Sequence, residues 1–183
     1  AAQEAALAPL RAAEFAQQPL ATGRLFKVKE MLMRYVGEWE GTAMSWRNGE
    51  IVKYFTDAER AAARLFVRDG KIYDAAGKLF DTSQAFGAQA GKRELTGRAI
   101  FVMDEAGNLY ASNAQIVGKL HHSSLAAGRA VAAAGELKVE NGVLKLISNA
   151  SGHYQPAQQF TEQALTRLKQ LGVDVTDVWG EWM

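Results

Sequence analysis

Residues 131–147, VAAAGELKVENGVLKLI, decide how this chain folds. Two apolar runs, Val131 to Val139 and Val143 to Ile147, flank Glu140-Asn141-Gly142. Asn-Gly between such runs is the strongest short-range hairpin signal, because those two residue types tolerate the positive φ of a tight turn. Simple antiparallel pairing about this turn makes paired residue numbers sum to about 283. Ala130 then faces His153, and Glu136 faces Ile147. All three histidines lie in two polar patches at the open end of this hairpin, His121-His122-Ser123-Ser124 and Ser151-Gly152-His153-Tyr154. The register therefore predicts that the patches share one edge of a sheet.

Working outward, Ala99 to Met103 reads as a central strand, Glu105 to Asn108 as a turn, and Leu109 to Ser112 as the returning strand. Downstream, Pro156 sits at a helix start and Gly172 just past its end. Phe160, Ala164, Leu165, Leu168 and Leu171 form one apolar stripe between them. Val173, Val175 and Val178 then alternate as in a strand, and Trp179 and Trp182 close the chain. Upstream, Thr56 or Asp57 caps a short helix. Arg64 to Arg68 and Lys71 to Tyr73 read as strands around Asp69-Gly70, and Lys78 to Thr82 as a strand after Ala76-Gly77. Residues 83–98 read as a long functional or mobile loop. Phe26, Val28, Met31, Leu32, Tyr35, Val36 and Trp39 recur at three- and four-residue spacing, which predicts an amphipathic helix over 26–39 with a basic opposite face. Residues 1–18 favour helix, interrupted at Pro9, and Pro19 to Gly23 reads as a break. The expected fold is α+β, a mainly antiparallel sheet core with an N-terminal helical region and a C-terminal helix. Residues 1–23 read as a helical or mobile lead-in, and 24–183 as a single domain.

Composition narrows the function. The 183 residues are 48% hydrophobic and 22% charged, values of an ordinary globular domain. A net charge of +1 argues against general affinity for nucleic acid. The lack of cysteine excludes disulfides, thiolate chemistry and the usual zinc-finger ligand sets. No apolar run approaches the ~20 residues that cross a bilayer. Glu4, Arg11 and Glu14 interrupt the alanine-rich start, which is therefore no secretory signal. The chain begins without Met, as a fragment of a longer polypeptide would.

The polar patches admit several chemistries. Histidine titrates near neutral pH, so His121 or His122 is a candidate general base, with Ser123 or Ser124 as nucleophile or substrate ligand. His153 or Tyr154 is a second acid–base group, and Glu136 an orienting carboxylate if its strand bends. His121, Ser151 and Gly152 are the candidates for holding a cofactor. A serine hydrolase has these residue types, but the G-x-S-x-G elbow is absent. Three histidines could hold a metal, although their spacing matches no zinc pattern and adjacent histidines on a strand point apart. The order His122, Ser123, Tyr154 and a late acid such as Glu181 is that of ADP-ribosyltransferases, which hold NAD. Against these stands a structural reading, with His122 and His153 tying a loop to the hairpin and Ser123-Ser124 capping a short helix or turn.

The runs AIFVMDEAGNLYAS, HHSSLAAGRAVAAAGELKVENGVL and SGHYQP, with the closing helix and GVDVTDV, resemble the plant IQM proteins, which are calmodulin-binding proteins with an IQ motif. YFTDAER and DGKIYDAAGKLFDT extend the likeness to about residues 54–178. The H-S-S, A-A-G-E and S-G-H-Y-x-P segments are also similar to C-terminal domains of bacterial secreted toxins and effectors. The IQ motif itself, I-Q-x-x-x-R-G-x-x-x-R, is absent, so calmodulin would have to bind the segment from Lys27 to Trp39. The missing cysteine and the alanine-rich start suit a bacterial origin. The resemblance thus implies a bacterial effector or toxin domain, secreted into a target cell. The resemblance supplies no mechanism, but the residues predict action on a nucleotide or other small molecule at His122, Ser123, Ser124, His153 and Tyr154, ADP-ribosyl transfer from NAD being the most concrete chemistry, with a host protein or an immunity protein as partner. The alternative it implies is a non-catalytic domain that binds calmodulin or another host protein.

Overall fold

The hairpin forms as its turn residues dictate. In the computed structural model, which describes residues 2–43 and 51–183, Asn141 and Gly142 have φ of 48° and 80°. They join β8 (Ala133–Glu140) to β9 (Val143–Ser148). Val139 pairs with Leu144, but Lys138 pairs with Leu146. Lys145 is therefore an extra residue, and beyond it the register slips by one, so Glu136 faces Ser148 and not Ile147. Pairing ends there, and Ala130 never reaches His153 as a strand partner.

This hairpin lies inside a five-stranded sheet of order β10-β9-β8-β5-β6, with β5 at Ala99–Met103, β6 at Leu109–Ser112 and β10 at Trp179–Glu181. All pairs are antiparallel except β10 with β9, which is parallel. The fold is α+β, as the sequence predicts. Strand β5 is buried along its whole length because both faces are covered. Phe101 and Met103 pack with Leu137, Ile147 and Leu168 of α4 (Gln158–Gln170). Ile100 and Val102 pack on the other side with Tyr154 and with Leu125 of α3 (His122–Ala126). Each such side chain removed from water contributes about 1.5–3 kcal/mol.

Thr56 caps α2 (Asp57–Ala63) in a reciprocal capping box with Glu59. Strands β1 (Phe66–Arg68) and β2 (Lys71–Tyr73) form the expected hairpin. Helix α1 (Ala2–Gln17) runs through Pro9 without a break. It docks on that hairpin, with Phe15 stacked on Phe66 at 4.5 Å and the Arg11 Nε donating to Gly77 O at 2.8 Å. Gly77 has φ of 79°, and a Cβ there would strike the α1 backbone.

Three expectations fail locally. Residues 83–98 hold a second hairpin, β3 (Phe86–Gln89) and β4 (Lys92–Leu95), and β3 also pairs in parallel with β7 (Ala114–Ile116). Its residues stay half-exposed or exposed, so no burial alternation marks it in sequence. Lys78 to Thr82 makes only one bridge, Leu79 to Tyr73. Residues 26–39 are not a helix. Leu32 and Val36 are extended, at ψ of 139° and 131°, around a single turn at Met33–Tyr35. Backbone hydrogen bonds from Lys29 to Val131 O and from Leu32 to His153 O hold this strap on the domain. Tertiary pairing outcompetes a helix that periodicity favours only locally.

Candidate functional site: a buried Glu–His–Tyr centre

The two histidine patches do converge, through side chains and not through strand pairing. His121 and His153 have ring centroids 4.4 Å apart, and Tyr35 of the strap stacks on His153 at 3.8 Å. The keystone is a residue that the sequence reading missed. Glu38, fully buried, lies in a single turn of the strap between Gly37 and Gly41, which have φ of 86° and 75°. Its Oε2 accepts from His153 Nε2 at 2.6 Å, and its Oε1 accepts from the Tyr54 hydroxyl at 2.9 Å. Ser123, also fully buried, has no hydrogen bond of full geometry, but its hydroxyl stands close enough to favour the charged carboxylate. The flanking glycines were the one sequence sign that this stretch is not a regular helix.

Each remaining patch residue has a definite partner. Helix α3 starts at the polar patch, and its Ser124 Oγ accepts from the His121 N–H at 3.0 Å. His121 Nε2 accepts from the Gly118 N–H at 2.8 Å, which places the ring proton on Nδ1. His122 Nε2 donates to Gly135 O at 2.7 Å and so ties α3 to β8. Tyr154 donates its hydroxyl to Arg129 O at 2.7 Å, and its N–H to Ser151 Oγ at 3.3 Å. Glu136 orients no histidine. Its carboxylate lies 3.5 Å from Arg98, which also clasps Glu181 of β10 at 3.0 Å. A cleft of about 620 Å³ opens beside the centre, and His122, Glu136, Ser151 and Gly152 line it. His121, Ser123, Ser124, His153 and Tyr154 are buried in the network. Among the described residues no group of three His, Asp or Glu could hold a metal ion. No described helix is long and apolar enough to cross a membrane.

Electrostatics follow from this burial. Burial pushes the Glu38 carboxyl up, but bonds from His153 and Ser123, the His153 charge and Tyr54 outweigh it and leave the pKa lowered. Burial pushes His121 down to about 4, helped by the neighbouring His153 charge. Burial likewise pushes His122 down to about 4 against the opposing bond to Gly135. Tyr54 and Tyr154 are raised by burial and then by the Glu38 charge. The centre thus holds neutral His121 and His122, an ionised Glu38 and protonated tyrosines.

This state dictates a pH dependence. An unfolded chain binds protons on His121 and His122 near the ordinary 6.5, whereas the folded chain does so only near 4. Between those values the unfolded state binds more protons, so stability falls as the pH drops. Glu38 adds a loss below its ordinary 4.5, continuing through its lower folded value. Urea denaturation at pH 7 and pH 5 is expected to differ by on the order of 1–2 kcal/mol per histidine. His122→Gln is expected to remove about half of that difference. Equal stability at the two pH values would contradict the buried neutral state.

The stretch that carries both histidine patches has relatives among known proteins. Residues 59–161 match the family model described as IQ motif-containing protein middle domain, a stretch that holds both histidine patches. The chain is 38% identical over 130 residues to the IQ domain-containing protein IQM2 of Arabidopsis thaliana, covering 70% of this chain and 20% of that protein. It is 35% identical to IQM3 and 30% identical to IQM4 of the same plant, covering 70% of this chain and 26% and 22% of those proteins. The chain therefore spans about a quarter or less of the curated relatives it matches. No solved structure gives a significant match. These relatives overturn the expectation of a bacterial effector or toxin with transferase chemistry on NAD, and that of secretion into a target cell. The matched stretch exceeds half the chain, and on that ground the chain belongs to the family of IQ motif-containing protein middle domains.

Proposed function

We propose that this chain is a non-catalytic interaction domain and that calmodulin is its partner. The observation that carries this reading is the outer surface of the strap. Leu25, Val28, Met33, Val36 and Trp39 stay exposed there, Met33 at 84%. Arg24, Lys27 and Arg34 are exposed among them. Exposed apolar side chains interleaved with cations suit an acidic partner with adaptable apolar pockets, the chemistry of calmodulin target recognition. The burial of His121, Ser123, His153 and Tyr154 away from the neighbouring cleft supports the same reading, because a catalytic group has to reach its substrate. No IQ motif is present in this chain, so the strap carries the contact.

The test is calorimetric titration of the chain with calmodulin, with and without calcium. Binding is expected, and Met33→Asp with Val36→Asp is expected to weaken it about tenfold or more. Both side chains face solvent, so stability should change by no more than about 0.5 kcal/mol. Absence of binding in both conditions, or binding that the paired substitution leaves intact, contradicts the reading.

A further inference from the structure

A second feature lies beside α2, around arginine side chains that the histidine centre does not use. Two clefts of about 450 and 790 Å³ adjoin where Arg60, Tyr110 and Arg129 meet. The larger is walled by Phe15 of α1, Leu20 of the connecting segment and Arg64. Each volume suits a small ligand.

The charges in the larger cleft are unbalanced. Arg60 lies in α2, Arg64 is the extended residue just past its end, and both line the cleft. Arg60 is mostly buried, with its guanidinium 5.3 Å from the Tyr110 ring centroid. Its Nε has no hydrogen-bond partner. Its nearest carboxylate is that of Asp57, 3.8 Å away on a side chain that is 98% exposed. Such a contact contributes little. Arg64 spends its two Nη groups on the carbonyls of Gln18 and Pro19, at 2.9 and 3.2 Å, and forms no ion pair among the described residues. Arg129 is exposed at the shared rim. The acids of this region do not restore the balance. Asp104 faces the smaller cleft, where its carboxylate already accepts from Ala106 and Asn108. Glu105 lies on that side too, 3.9 Å from Arg24.

Three arginines line this cleft around its apolar wall, and the mostly buried Arg60 has no buried counterion. A mostly buried guanidinium without a buried counterion favours an anion in the cleft it lines. We propose that this cleft binds a small organic anion, a phosphate or carboxylate group carried on an apolar body of about the size of a fused ring. The anionic group sits among Arg60, Arg64 and Arg129, beside the Tyr110 ring. The apolar body lies against Phe15 and Leu20.

The experiment is calorimetric titration of the full chain with four probes: 1-naphthyl phosphate, 1-naphthoate, 1-naphthol and inorganic phosphate. Saturable binding is expected for at least one of the two naphthyl anions, and the stronger of them identifies the anionic group. The neutral naphthol and inorganic phosphate should each bind about tenfold more weakly or worse, since each lacks one half of the recognition. Arg60→Gln and Arg129→Gln should each weaken the bound anion about tenfold, the loss of one charge-assisted hydrogen bond. Arg129 is exposed, so its variant retains the fold even if the Arg60 variant does not. Met33→Asp with Val36→Asp should bind the anion normally, which separates this site from the calmodulin reading. No saturable binding of either anion overturns the proposal. So does equal binding of naphthol and the anions, or an affinity that Arg129→Gln leaves unchanged.

Discussion

Glu38→Ala is expected to cost about 3–5 kcal/mol of folding stability, because it leaves two buried donors unmet at about 1–3 kcal/mol each. Two donors converge on this carboxylate, His153 Nε2 and the Tyr54 hydroxyl, and both use it inside the protein rather than in water. Alanine removes the acceptor and leaves a cavity the size of the lost side chain. The strap then loses its only fully buried charged residue, while its outer side chains have no core to enter. Glu38→Gln should cost less, because an amide oxygen still accepts one of the two bonds. Urea denaturation of the three proteins measures the series. A cost below about 1 kcal/mol for alanine would place Glu38 among ordinary surface carboxylates.

Gly135→Ala is the second large effect, and its cause is backbone contact, not charge. A Cβ at Gly135 would fall on the Ser148 carbonyl and against the Asn149 Cα. All of these are main-chain atoms, so no rotamer change relieves the clash. Strands β8 and β9 would have to part where Glu136 faces Ser148. The Gly135 carbonyl that accepts from His122 would move with them. About 3 kcal/mol is expected, which lowers the melting temperature by about 6–12 °C in a chain of this size. Gly152→Ala is the internal control, because a Cβ there meets nothing within 4 Å. Equal melting temperatures for the two variants would contradict the close approach.

Much of this frame was legible in the sequence. Asn141-Gly142 set the hairpin, a cap at Thr56 or Asp57 started α2, and the leucine stripe marked α4. Each is a local signal whose physics involves only a few neighbouring residues. The Lys145 bulge was not legible, because apolar alternation continues past it and only the paired strand reveals the extra residue. Hairpin β3–β4 lacked a signal because a strand with exposed faces needs no apolar alternation. The strap misled for the opposite reason. Its apolar residues follow a helical period, but its backbone bonds go to Val131 and His153, which lie more than a hundred residues away.

The centre itself was half legible. The residue types of the two patches, with the hairpin between them, were enough to predict their proximity. The charge that organises them was not, since Glu38 sits among several similar carboxylates and only the tertiary fold selects it. The same selection changed the chemistry assigned to the histidines. Burial holds His121 and His122 neutral, and Glu136 is engaged by Arg98.

The central claim is that Glu38 and His153 act as one buried latch between the strap and the hairpin. A double-substitution cycle of Glu38→Ala and His153→Ala, read by urea denaturation at pH 7, tests it most directly. The two single costs should exceed the double cost in sum, with a coupling of about 2 kcal/mol or more. Additivity within about 0.5 kcal/mol would mean that the two residues do not act on each other, and the latch would be contradicted.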